Sequence, residues 1–122
     1  MSTRFQTLVA EAKARITEID LDAYRRQAAS PHPPLLIDVR DAGEFSAGRP
    51  PRALHLSRGT LEGKIEAVVP DLHTPVVLIC AGGNRSALAA ESLQRLGYTR
   101  VASLIGGFGA WQQAGLPVEK SA

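Results

Sequence analysis

The segment Pro75-Val76-Val77-Leu78-Ile79-Cys80 is an apolar, β-branched run with no polar residue in alternation. A strand with one wet face alternates, so a run of this kind belongs in a sheet buried on both sides. It leads directly into Ala81-Gly82-Gly83-Asn84-Arg85, then into a helical pattern from Ser86 to Leu96 that Gly97 closes. Leu35-Leu36-Ile37-Asp38-Val39 and Val101 to Ile105 are further runs of the same buried type. Helical segments separate these runs, and parallel neighbours need such crossovers. The expected fold is α/β, a mainly parallel sheet with helices on both faces.

The remaining stretches fit that frame. Arg4 to Ala14 has Phe5, Leu8, Val9, Ala12 and Ile16 at helical spacing. Ile16 and Ile19 flank a short extended segment, and Asp20 is a plausible N-cap for a helix through Leu21, Tyr24 and Arg25. Ser30-Pro31-His32-Pro33-Pro34 cannot continue a helix. A short helix is expected from Asp41 to Ala47, an edge strand at Ala53-Leu54-His55-Leu56, and a helix from Leu61 to Val69 stopped by Pro70. Gly106-Gly107 turns the chain into a last helix carrying Phe108, Ala110 and Trp111. Without repeats or a linker, residues 16–122 form one expected domain, preceded by an N-terminal helical extension over 1–15.

At 122 residues the chain is long enough to fold without disulfides or a structural metal. Its single cysteine rules out an intrachain disulfide, and His32, His55 and His73 are too scattered for a zinc site, so no metal is expected. Fourteen basic against twelve acidic side chains leave a formal charge of +2, which gives no footprint for nucleic acid. No apolar run approaches the roughly 20 residues needed to span a bilayer. No nucleic-acid or membrane partner is expected, and the expected location is the cytoplasm, where a lone thiol stays reduced.

Ligands in open α/β sheets sit at the carboxyl ends of strands, and Cys80 is expected there, at the end of a central strand. Two glycines let the following loop curl and turn several amides inward, and the Ser86 helix adds the positive end of its dipole. Such a cradle stabilises a thiolate, a persulfide anion or an oxyanion. Arg85 either contacts an anionic substrate or braces the loop from outside. The plain alternative is a buried, inert core cysteine. The loop lacks the Lys-Ser/Thr pair of a nucleotide-binding loop, which argues against ATP or GTP.

At this point the sequence resembles the rhodanese (sulfurtransferase) family, from about Ile16 to Val118. Leu36-Ile37-Asp38-Val39-Arg40 with Glu44-Phe45 is similar to that family's entry motif, and Cys80-Ala81-Gly82-Gly83-Asn84-Arg85-Ser86 to its active-site loop. Gly106-Gly107-Phe108-Gly109-Ala110-Trp111, then Gly115-Leu116-Pro117-Val118, is similar to its C-terminal signature. The resemblance implies five parallel strands, no metal or organic cofactor, and a two-step sulfur transfer with Cys80 as nucleophile. A donor such as thiosulfate or a persulfide leaves a sulfur on Cys80; cyanide, a thiol or a sulfur-accepting protein cysteine removes it. The loop from Cys80 to Arg85 has six residues, the sulfurtransferase form, whereas related phosphatases and arsenate reductases have one more. Ala81 and Gly82 stand where several thiosulfate-using relatives carry basic residues. Gly48-Arg49-Pro50-Pro51-Arg52-Ala53 lacks the histidine of the family's corresponding segment and adds arginines near the expected rim.

Other polar residues have supporting roles in this reading. Arg40 and Glu44 are expected to form an ion pair below the loop, and Asp38 to support it or to accept from loop amides. Arg58, in a stretch similar to the family's Pro-Arg-Gly, either contacts an anionic substrate or is a solvated surface arginine. The competing functions are a phosphatase or arsenate reductase using the same thiolate, and a non-catalytic binding module on the same fold.

Overall fold

The structure is a computed structural model that describes residues 3–121. Five strands run β1 (Thr17–Ile19), β2 (Leu35–Asp38), β3 (Leu54–His55), β4 (Val76–Ile79) and β5 (Val101–Leu104). They form one sheet in the order β1-β5-β4-β2-β3, and every pairing in it is parallel. β4 is the middle strand, hydrogen-bonded to β2 on one side and β5 on the other. All four of its side chains are buried, which explains why its sequence lacks alternation. Burial of each such side chain contributes about 1.5–3 kcal/mol.

Six helices complete the described chain: α1 (Arg4–Arg15), α2 (Leu21–Ala28), α3 (Ala42–Ala47), α4 (Leu61–Val68), α5 (Asn84–Arg95) and α6 (Gly107–Gln113). One face of the sheet packs Ile37, Val39 and Leu78 against Leu61 and Ile65 of α4 and Ala89, Ala90 and Leu93 of α5. The other packs Leu36, Val77 and Ile79 against Tyr24 of α2 and Phe108 and Trp111 of α6. The expected helices on both faces are therefore present.

Local signals set several boundaries. The Asp20 carboxylate accepts the Ala23 amide at 2.8 Å and caps α2. α1 is closed at its start by Thr3 and Gln6, whose side chains each accept the other's amide. Of the apolar positions on α1, Val9 and Ala12 are buried and the helix packs against α5, while Phe5 and Leu8 are 48% and 51% exposed. One expectation needs correction. α5 starts at Asn84 rather than Ser86, because Gly83 adopts a left-handed conformation (φ +102°) that turns the chain into the helix two residues earlier. Met1, Ser2 and Ala122, at the two ends of the expected extension and domain, lie outside the described residues.

Candidate active site

Cys80 follows the last residue of β4 at the carboxyl end of the sheet. Its sulfur points into the turn that the next residues make. The Gly83 amide donates to Sγ at 3.1 Å and the Ser86 amide at 3.3 Å. Ser86 is the third residue of α5, so the sulfur takes the place of the side-chain acceptor that Gly83 cannot supply as N-cap. An anionic sulfur there meets the positive end of a 12-residue helix. The amides of Ala81, Gly82, Asn84 and Arg85 have no protein acceptor among the described residues. The thiol also donates to Ser86 Oγ, 3.4 Å away. Cys80 is only 1% exposed.

The charged residues pair differently from the sequence expectation. Arg40 does not bridge to Glu44. It folds back on Asp38, with Nη2 2.7 Å from Oδ2 and Nε 3.0 Å from Oδ1, and its Nη2 also donates to the Gly48 carbonyl. Asp38 accepts the Arg40 backbone amide at 3.0 Å, not an amide of the cysteine loop. Both side chains are buried, and the Arg40 guanidinium lies 4.3 Å from the centre of the Phe108 ring. This pair ties the end of β2 to the Gly48 turn and to α6. The reason is proximity: Asp38 and Arg40 flank one residue at the strand end, whereas Glu44 sits in the first turn of α3 and faces α5.

Glu44 instead holds Arg85. Nη1 and Nη2 donate to its two carboxylate oxygens at 2.7 and 3.1 Å, a bidentate pair across α3 and α5. Arg85 therefore braces the loop from outside. Its guanidinium, beside Glu44, is held above the ordinary arginine range, mainly by that hydrogen bond. The same bond holds the Glu44 carboxyl at about 2 instead of 4.5. Because the folded value is depressed, the contribution of Glu44 to stability is complete above about pH 4.5 and disappears as pH falls toward 2. Urea melts across this window should show a steeper acid loss for the wild type than for Glu44→Gln. Partial exposure keeps the difference modest. Identical slopes would mean that the pair carries no stability.

Arg58 is engaged with Glu62, to which it donates at 2.7 Å, and with Ser92 at 3.2 Å. It sits in a 3-10 turn over Arg58–Thr60 that the sequence pattern did not suggest. His55 stacks on Phe45 with ring centres 4.6 Å apart, and its Nε2 lies 2.8 Å from the Arg40 carbonyl oxygen. The Arg49 guanidinium lies 4.6 Å from the centre of the same Phe45 ring and donates to Ser121, so it fastens the C-terminal segment. Among the described residues no three His, Cys, Asp or Glu side chains converge to hold a metal ion, and no helix is long and apolar enough to cross a membrane.

A cleft of about 440 Å³ opens beside the loop, lined by Glu44, Gly48, Ala81, Phe108, Gln112 and Lys120. A slightly larger one, about 490 Å³, lies at the opposite, amino end of the strands near Pro75, Thr99 and Arg100, far from the chemistry. Sequence reading missed Ser103. Its hydroxyl lies 2.7 Å from Ser86 Oγ, and it is wholly buried in β5. The available signal was a lone hydroxyl in the apolar run Val101–Ile105.

Comparison with known proteins gives the family. The Rhodanese-like domain family matches residues 20–114. The chain belongs to the rhodanese-like family. It is 42% identical over 85 residues to the thiosulfate sulfurtransferase GlpE of Actinobacillus succinogenes, covering 70% of this chain and 75% of that one. A sulfurtransferase of Allochromatium vinosum is 34% identical over 103 residues, covering 84% and 94% of the two chains. Among solved structures, the polysulfide-sulfur transferase homodimer of Wolinella succinogenes superposes with a TM-score of 0.79 at 34% identity, covering 97% of this chain and 88% of that one. A Rhodopseudomonas palustris protein of unknown function, described as a possible tyrosine phosphatase, superposes with a TM-score of 0.84 at 32% identity, covering 98% and 96%.

Proposed function

We propose that this rhodanese-like protein is a sulfurtransferase that carries a sulfane sulfur on Cys80. The observation that carries the reading is the pair of amides, from Gly83 and Ser86, aimed at one sulfur at the start of α5. With thiosulfate as donor, the Cys80 thiolate attacks the outer sulfur. A new S–S bond forms, the donor's S–S bond breaks, and sulfite leaves with the electron pair. The product is a Cys80 persulfide anion. A thiophilic acceptor then attacks the terminal sulfur, which releases the thiolate; cyanide gives thiocyanate. The transfer is split into two easier steps.

The chain's residues have simple roles in this scheme. The loop amides from Ala81 to Ser86 stabilise the negative charge on sulfur in both steps. Those without a protein acceptor are available to the terminal sulfur or to the departing anion. Glu44 and Arg85 hold the loop in its curled form, and the Asp38–Arg40 pair fixes the neighbouring strand end. Donors and acceptors of this class are small anions and thiols, or the cysteine of a sulfur-accepting protein.

The test is intact mass after the reduced protein is incubated with thiosulfate or glutathione persulfide. One added sulfur, lost on addition of cyanide, is the expected result. No adduct with either donor, together with steady turnover of an aryl phosphate, would replace this reading by the phosphatase one. Absence of both activities would leave a binding module.

A further inference from the structure

We propose that Ser103 is a positioning residue for the cysteine chemistry: its hydroxyl backs the Ser86 hydroxyl so that the latter turns toward Cys80 when the sulfur is anionic. The inference rests on Cys80 being the reacting sulfur. Ser86 Oγ lies between two partners, Cys80 Sγ at 3.4 Å and Ser103 Oγ at 2.7 Å. Both serines are 0% exposed, so bulk water does not stand in for either hydroxyl.

A hydroxyl has one proton to donate and can accept through its lone pairs. While Cys80 keeps its proton, S–H donates to Ser86, and the two serines can bond in either sense. An anionic sulfur has no proton, so the favourable contact is Ser86 O–H donating to it. Ser86 then has no second proton for Ser103, and their 2.7 Å contact is satisfied only with Ser103 as donor. The direction Ser103 to Ser86 to Cys80 is therefore set by the charge on sulfur. Linked bonds of this kind polarise one another in a buried site. The thiol proton leaves to solvent; the serine protons reorient, and neither serine ionises.

The Ser103 hydroxyl has no other hydrogen-bond partner among the described residues, and its neighbours in β5 are Ala102 and Leu104. A buried hydroxyl in such a strand is costly unless paired. β4, β5, residues 81–84 and α6 carry no charged side chain. The charges on the surrounding elements are Arg85, held by Glu44; Arg40, held by Asp38; Lys120, which lines the cleft beside Ala81; and Glu18 of β1, which stands opposite Ser103 in the sheet register and lies 3.9 Å from Lys13 of α1. Replacing Ser103 with alanine changes none of these charges.

The experiment compares iodoacetamide alkylation of Cys80 in the wild type, Ser103→Ala and Ser103→Thr. Rates are taken at about pH 7 and about pH 9.5, on either side of the ordinary thiol range, with a thermal melt of each protein. Ser103→Ala should react ~3–10-fold more slowly at the lower pH and like the wild type at the higher one. Ser103→Thr keeps the hydroxyl and should restore the lower-pH rate to within about twofold. An unchanged Ser103→Ala rate at pH 7, or equal slowing at both values, overturns the proposal, since a packing or access effect does not depend on pH. The Ser103→Ala ratio decides whether or not Ser103→Thr folds. Alkylation needs no sulfur donor, so a wild type that fails to carry sulfur would sink the proposed function without affecting this result.

Discussion

Cys80→Ser should lose sulfur transfer by at least about 10³-fold while keeping its fold. An alcohol is far less ionised than a thiol at neutral pH, and an oxygen at that position cannot form a persulfide. The fold should survive because the change removes little volume and keeps the local bonding. A hydroxyl can accept the Gly83 and Ser86 amides in place of the sulfur, and β4 remains buried between its neighbours. The measurement is thiocyanate formation from thiosulfate and cyanide, alongside a thermal melt. Transfer at the wild-type rate in a folded variant would remove Cys80 from the mechanism.

Gly107→Ala should destabilise the protein by about 3 kcal/mol or more, or prevent folding. Gly107 opens α6 with φ +54°, in the left-handed region. A Cβ there would overlap the Cys80 carbonyl oxygen and come within 2.8 Å of the Ala81 carbonyl carbon and oxygen. These are backbone atoms and cannot rotate away. They are also held in place: the Phe108 amide donates to the Cys80 carbonyl at 2.8 Å and the Gly109 amide to the Ala81 carbonyl at 3.0 Å. Relieving the overlap would pull α6 off the residues that aim the sulfur, so any folded fraction should also transfer sulfur poorly. Gly63→Ala in α4 is the control, since a Cβ there meets nothing within 4 Å; it should be neutral or stabilising by about 0.5–1 kcal/mol. A Gly107→Ala melt coincident with the wild type would show that α6 and the loop are not packed as described.

How far the sequence could be read depended on the range of the interaction. The strand over Val76–Ile79 was legible because full burial on both faces leaves an uninterrupted apolar run. The Asp20 cap and the closure of α5 at Gly97 were legible because each depends on residues within one turn. The start of α5 was placed two residues late, since Asn84 and Arg85 look like loop residues until Gly83 is seen to turn the backbone into the helix. Phe5 and Leu8 fit a helical stripe, but the width of the face that α1 buries is set by its partner α5.

The candidate site divides in the same way. Its cysteine, glycine loop and following helix are contiguous, and contiguity makes both their order and their chemistry readable in one chain. The charge pairs are not contiguous. Arg40 had Asp38 and Glu44 within reach along the chain, and nothing in that spacing says that Glu44 is taken by Arg85, 41 residues away. Likewise Arg58 meets Ser92 across 34 residues, and Ser86 meets Ser103 across 17. By itself, then, the sequence determined the α/β architecture, the position of Cys80 at a strand end and the loop that wraps it. These follow from burial periodicity and local backbone geometry. Which cation met which carboxylate, and which hydroxyl stood behind the sulfur, was decided only when helices and strands distant in the chain packed together, because a side chain's partner depends on distances that sequence separation does not encode.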